Sequence, residues 1–296
     1  MTTAFSPRRL PRGSLCGEVK AGRVLVLVLR SGQIGSFLEI RKGRAFSVHL
    51  KKTYRVSSYM PYLAEFFGTM ILILLGDGVV ANVNLNRSGM KGAGAVQITF
   101  AWGLAVMLPA FTFGAASGAH FNPALTIALA AGGYFSWGMV PGYCIAQMAG
   151  AFVGACLVYV LFKDQFDATD DPNIKRGVFC TSPAVPNRFR NFLSEIIGTF
   201  VLVFAILGLN QVPNMPGGVN YILVFGIIVS IGMSLGGLTG YAINPARDWG
   251  PRLAHTVLPI RGKGSSHWDY AIVPLVGPLV GGLIAVCLYN MLPWME

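Results

Sequence analysis

Ser117-Gly118-Ala119-His120-Phe121-Asn122-Pro123-Ala124 and Thr239-Gly240-Tyr241-Ala242-Ile243-Asn244-Pro245-Ala246 decide the reading of this chain. Each stretch has a glycine, three residues, and then Asn-Pro-Ala, and each interrupts an apolar region. In a water-soluble protein Asn-Pro marks a turn. In apolar surroundings the same residues spell a helix start. Asn takes the N-cap and Pro the first helical position, where its missing N–H costs nothing. A helix that begins inside a bilayer leaves N–H donors and a partial positive charge aimed at one point. Non-helical backbone at that depth is tolerated only where it is buried in protein or lines a water-filled cavity. Two such starts, one in each half of the chain, predict two half-helices meeting at a passage.

The rest of the composition fits a membrane. Of 296 residues, 53% are apolar and 12% charged, against about 25% charged in soluble domains. Several apolar runs reach about 20 residues, the length that crosses a bilayer, so lipid is an expected partner. The net charge of +11 is concentrated at the start, where residues 1–58 hold 12 Lys or Arg and 2 Asp or Glu. This segment reads as a basic, disordered N-terminal arm, with attraction to anionic headgroups as its functional alternative. Its apolar burst at 24–29 is too short for a span or a signal-peptide core. It lacks the interleaved aromatics of a nucleic-acid binder, so no nucleic acid is expected. Cys16, Cys144, Cys156, Cys180 and Cys287 form no paired spacing and read as small hydrophobes. No nucleophile elbow, phosphate loop or metal-ligand cluster is present, so no catalysis, metal or cofactor is expected.

The pattern predicts an all-α membrane fold with a channel-like domain over 59–296. Spans are expected at 62–83, 95–115, 137–162, 191–209, 219–235 and 270–292, with half-helices at 123–131 and 245–254. A polar loop, 163–190, separates the halves. The order span, span, half-helix, span occurs twice, over about 60–165 and 190–292. Residue matches support the repeat: Glu65-Phe66-Phe67-Gly68-Thr69 opens the first half and Glu195-Ile196-Ile197-Gly198-Thr199 the second. Three spans per half is an odd number, so the copies enter the membrane from opposite sides as an inverted repeat. The Lys/Arg excess of 1–58 predicts a cytoplasmic N-terminus, and six spans put the C-terminus on the same side.

Two Asn-Pro-Ala motifs, six spans and a Glu-x-x-Gly-Thr opening in each half resemble the major intrinsic proteins, the aquaporins and glycerol facilitators. The resemblance covers about residues 60–292. Asp248 and Arg252, after the second motif, are similar to the glycerol-conducting branch, as are Pro274 and Leu275 in the last span. Trp102 matches the aromatic that this branch places at the outer constriction. Gly232 matches the small residue standing where water-selective members carry a bulky His. Two residues depart from the branch: Tyr241 stands where Phe is frequent, and Ser182 where an aromatic is frequent.

The resemblance implies a passive channel for glycerol and other small polyols, with some water flow, assembled as a homotetramer with one pore per copy. The plasma membrane is the default location, since no organelle address is present. The implied filter is Trp102, Gly232, Tyr241 and Arg247. The side-chain amides of Asn122 and Asn244 would donate to a passing oxygen while the half-helix ends oppose cations. Pro123, Ala124, Pro245 and Ala246 complete the motifs. Carbonyls of Gly118, Ala119, His120, Gly240, Tyr241 and Ala242 would line the passage as acceptors. Glu65 and Glu195, costly in a membrane unless paired, read as buried acceptors holding the non-helical segments. Asp77 has no counterpart in the second half, and its place fits either a pore mouth or the membrane interface. A water-selective aquaporin is the alternative, and Gly232, Asp248 and Arg252 argue against it. An ion-coupled transporter would need paired midplane charges beyond Glu65 and Glu195.

Overall fold

The computed structural model describes residues 58–294 and, before them, four strands: β1 (Ser14–Cys16), β2 (Val24–Arg30), β3 (Gln33–Arg41) and β4 (Arg44–Val48). The strands pair antiparallel in sequence order. Otherwise the expectation of a disordered arm over 1–58 falls outside the described residues. The chain divides between Ser57 and Ser58 into two compact units.

The second unit is all-helical. Its elements are α1 (Met60–Asn84), α2 (Ala95–Ser117), α3 (Pro123–Ala131), α4 (Val140–Leu161), α5 (Lys163–Asp167), α6 (Pro172–Phe179), α7 (Arg188–Gly208), α8 (Val219–Thr239), α9 (Pro245–Val257) and α10 (Ile272–Met291). Among the described residues six helices are long and apolar enough to cross a membrane: α1, α2, α4, α7, α8 and α10. The protein is a multi-pass membrane protein. α3 has 9 residues and α9 has 13. At 1.5 Å per residue they reach about 14 and 20 Å, short of the roughly 30 Å hydrocarbon layer. They are the two half-helices.

Packing follows the repeat. α1 lies on α4 as α7 lies on α10, α3 on α10 as α9 on α4, and α2 meets α8. The first close pair is made possible by Gly150, whose added Cβ would stand 2.2 Å from the Phe66 carbonyl oxygen. In the second pair a Cβ on Gly281 would stand 2.1 Å from the Ile196 oxygen. Phe66 and Ile196 follow the matched glutamates, so the same backbone-to-backbone approach is built twice. Small residues at such crossings let membrane helices touch where burial of apolar area gives no drive.

Some boundaries differ from the sequence reading. α8 continues to Thr239 rather than stopping at 235, because backbone inside the hydrocarbon must keep its hydrogen bonds even through Gly236-Gly237. It ends where Gly240 turns left-handed at φ 79°, as α2 ends at Gly118 with φ 83°. α9 runs three residues past 254. The polar loop 163–190 contains α5 and α6, and the Asp171 carboxylate caps α6 by accepting from the Asn173 N–H.

Gly281→Ala should lower stability by about 1–3 kcal/mol, the cost of overpacking a close crossing, read as a lower thermal unfolding midpoint in detergent. Gly177→Ala, with nothing within 4 Å of its added Cβ, is the control expected to leave the midpoint nearly unchanged.

Candidate pore

The non-helical segments before α3 and α9 share one unusual backbone. Ala119 and Phe121 have φ of 54° and 50°, and their counterparts Tyr241 and Ile243 have 35° and 43°. Left-handed non-glycine residues cost about 1–3 kcal/mol each unless their surroundings over-determine them. Here a buried carboxylate does so in each half. Glu65 Oε1 accepts from Ser117 Oγ at 2.6 Å and from the His120 N–H at 3.0 Å, while Oε2 accepts from the Phe121 N–H at 2.7 Å. Glu195 repeats this with Thr239 Oγ1 at 2.6 Å, the Ala242 N–H at 3.0 Å and the Ile243 N–H at 2.8 Å. Both carboxyls sit inside the protein, at 0% and 1% exposure. With these N–H groups turned to the glutamates, the carbonyls of the extended segments are left to face elsewhere. Those of Gly118, Ala119, His120, Gly240, Tyr241 and Ala242 accept no hydrogen bond from the protein among the described residues.

The two segments lock to each other at their ends. Asn122 Nδ2 donates to the Ile243 carbonyl and Asn244 Nδ2 to the Phe121 carbonyl, each at 2.8 Å. Asn122 Oδ1 caps α3 by accepting from the Ala124 N–H, and Asn244 Oδ1 caps α9 by accepting from the Ala246 and Arg247 N–H groups. The caps fix which way each amide is turned, because only the oxygen can accept. One N–H of each asparagine remains for the passage. Pro123 and Pro245 occupy the first helical positions as expected. Ala124 and Ala246 are buried at 1% and 0% in the first turns of the half-helices.

A cavity of about 470 Å³ runs past this junction. Its lining includes Trp102 and Arg247, Asn122 and Asn244 at the junction, and Asn210, Val212 and Met215 of the α7–α8 connection. His120, Tyr241, Ala119, Gly118 and Ala242 are on its wall. Arg247 Cζ lies 4.4 Å from the centroid of the Trp102 ring, so the wall here joins an apolar face and a guanidinium. Gly232 is not on the wall. A Cβ there would meet Thr99 Cγ2 at 2.4 Å and the Tyr241 ring at 2.8 Å. Its missing side chain makes room for Tyr241, which is the group that faces the passage. Gly240 is likewise off the wall and turns the chain.

Asp248 and Arg252 lie off the cavity and do structural work. Arg252 Nε donates to Asp248 Oδ1 at 2.7 Å and Nη2 to Oδ2 at 2.8 Å. The remaining donors reach the Ser266, His267 and Thr181 carbonyls, and Asp248 Oδ2 accepts from Thr181 N–H and Oγ1. This fully buried pair ties the first two turns of α9 to two connecting segments. His267, in one of them, is held below the usual histidine range by burial and then by neighbouring Arg176. Pro274 sits in the first turn of α10, where no N–H is needed, and neither it nor Leu275 reaches the cavity. Two partners escaped the sequence reading. Gln147 Nε2 donates to Glu65 Oε2 at 2.8 Å and to Thr126 Oγ1 at 3.0 Å, and Thr126 Oγ1 lies 3.1 Å from His120 Nδ1. A lone amide in an apolar span was the available signal, since it must find a partner there.

Comparison with known proteins agrees with this geometry. The family profile described as "Major intrinsic protein" matches residues 52–289. The probable glycerol uptake facilitator protein of Thermotoga maritima is 54% identical over 231 residues, covering 78% of this chain and 98% of that protein. The glycerol uptake facilitator protein of Bacillus subtilis is 53% identical over 231 residues, covering 77% and 83%. The X-ray structure of the aquaglyceroporin from Plasmodium falciparum superposes with a TM-score of 0.71 at 31% identity, covering 79% of this chain and 97% of that one.

Glu195→Gln should destabilise the protein by about 1–3 kcal/mol, because an NH2 group would then face a backbone N–H donor. Thr199→Val is the contrast. Its buried hydroxyl has no partner, so thermal unfolding should show little loss.

Proposed function

The chain belongs to the major intrinsic protein family, and from that premise we propose a passive channel for glycerol and similar small neutral polyols, with some water flow, that excludes ions and protons. The family is one of membrane channels, so the buried acids have no reaction to perform. The observation that carries the reading is the Trp102–Arg247 wall, where a ring face and a guanidinium lie 4.4 Å apart. A polyol has C–H on one edge and O–H on the other. Its carbon edge slides on Trp102 and Tyr241 while its hydroxyls accept from Arg247. The relatives named for glycerol uptake support the same substrate.

Further along, free carbonyls offer acceptors that replace lost hydration. At the junction the remaining N–H of Asn122 and of Asn244 donates to one passing oxygen. That oxygen then accepts from both sides and cannot relay a proton through its own lone pairs. The positive ends of α3 and α9 add a field that opposes cations.

The channel sits in the plasma membrane with both termini in the cytoplasm, a reading supported by the Lys/Arg excess of 1–58 and the even number of spans. Exposed apolar side chains such as Ile145, Val160 and Ile222 suit the lipid-facing surface. Assembly into a homotetramer rests on the family resemblance.

Stopped-flow light scattering on proteoliposomes tests the substrate. Vesicles shrunk in glycerol should re-swell much faster than empty liposomes, and an impermeant osmolyte should leave them shrunken. Fast water exit without glycerol re-swelling would contradict the polyol reading. Gly232→Val should drive the Tyr241 ring into the passage, slowing glycerol by about tenfold or more while sparing water, since a small narrowing excludes the wider solute first.

A further inference from the structure

Arg247 has a counter-ion that the passage does not reveal. Asp77, in α1, is fully buried, and neither carboxylate oxygen has a hydrogen-bond partner. It is off the cavity wall. The nearest opposite charge is Arg247, with Nη1 at 3.8 Å from Asp77 Oδ1, and that Nη1 also has no hydrogen-bond partner. Asp248, the carboxylate next to Arg247 in sequence, is committed to Arg252 and Thr181. Among the described residues Asp77 is therefore the only acid within ion-pair reach of Arg247.

The repeat gives an independent reason to treat the two as a unit. The register that maps Glu65 on Glu195 maps Asp77 on Leu207, and the register that maps Asn122 on Asn244 maps Arg247 on Leu125. Leu125 and Leu207 belong to one buried apolar cluster. The same place in the fold is thus filled by two leucines in one half and by an acid and a base in the other. A scaffold that accepts an apolar pair there has no structural need of charge. Both charges stand on the filter side, and each makes the other tolerable, since an unpaired charge buried in a membrane protein is costly.

We propose that Asp77 is a positioning and specificity-determining residue: as the hidden counter-charge of Arg247 it holds the guanidinium at the Trp102 face and offsets its charge, so that the filter favours neutral solutes over small anions. This rests on the channel reading above. A bare guanidinium in a narrow, water-poor passage would draw carboxylates in. With Asp77 behind it, the same guanidinium keeps its donors for hydroxyls while the net field on an entering anion is small. The inference concerns which residue keeps anions out, since the half-helix ends oppose only cations.

The test uses proteoliposomes of the full chain and two solutes of three carbons, glycerol and L-lactate, at a pH where lactate is ionised. Empty liposomes give the background for each. Wild-type glycerol flux judges the channel reading by itself. The Asp77 inference is judged by the lactate-to-glycerol ratio, which Asp77→Asn should raise by about tenfold. In an Arg247→Leu background the same change should leave the ratio where it was, because Asp77 acts through Arg247. An unchanged ratio in the single variant, or an equal change in both backgrounds, overturns the inference. Thermal unfolding decides if the single variants do not assemble or if no flux is seen. The double variant Asp77→Leu with Arg247→Leu restores the apolar pair of the other half and should unfold at a higher temperature than either single leucine variant. A double variant no more stable than the weaker single one would show that the two residues are not a pair.

Discussion

Two stretches of backbone that are not helical must lie at the depth where lipid offers no hydrogen bonds. Everything distinctive about the body answers that constraint. Glu65 and Glu195 each gather two backbone N–H groups and a hydroxyl, so two donors of each stretch are satisfied inside the protein. The carbonyl side is left for the passage. A carboxylate accepts only, and this one-sided chemistry turns a chain with donors and acceptors into a wall of acceptors. The positive φ values at Ala119, Phe121, Tyr241 and Ile243 are the conformational consequence.

The junction of the two halves follows from the same logic. Each asparagine caps its own half-helix through oxygen and grips the opposite half through nitrogen. The halves are fastened where the half-helices meet beside the cavity, by side chains that each keep one N–H free. Structure and function therefore share the same side chains, and a substitution at Asn122 or Asn244 would disturb a cap, a cross-link and a donor together. The proposed filter is different. Trp102, Tyr241 and Arg247 break the symmetry of the repeat, with Gly232 packed under the Tyr241 ring and Asp77 beside the Arg247 guanidinium.

The repeat made the half-helices, the asparagine caps and the two glutamates legible in the sequence, because each feature occurs twice and each is expensive in a membrane without a reason. α3 is found at 123–131 as read. What was not legible depended on contacts between distant segments. Gly232 reads as an open place in a wall, and only the folded chain shows the Tyr241 ring lying over it. Asp248 and Arg252 could be noticed as a pair at helical spacing, but nothing in their spacing points to Thr181, Ser266 and His267 as their partners. α5 and α6 were hidden in a polar loop because short helices outside the membrane carry little periodic signal. The extension of α8 through two glycines was lost for the opposite reason: in lipid the backbone bond outweighs residue propensity.

The proposed channel is a passive passage for neutral solutes whose junction interrupts proton conduction. Glycerol influx and proton leak, measured in one preparation of proteoliposomes with and without imposed ion and pH gradients, test it most directly. Such a channel gives fast glycerol influx that follows only the glycerol gradient, together with a proton leak equal to that of empty liposomes. Glycerol influx that needs an ion or proton gradient, or a proton leak that rises with the amount of protein, would contradict it.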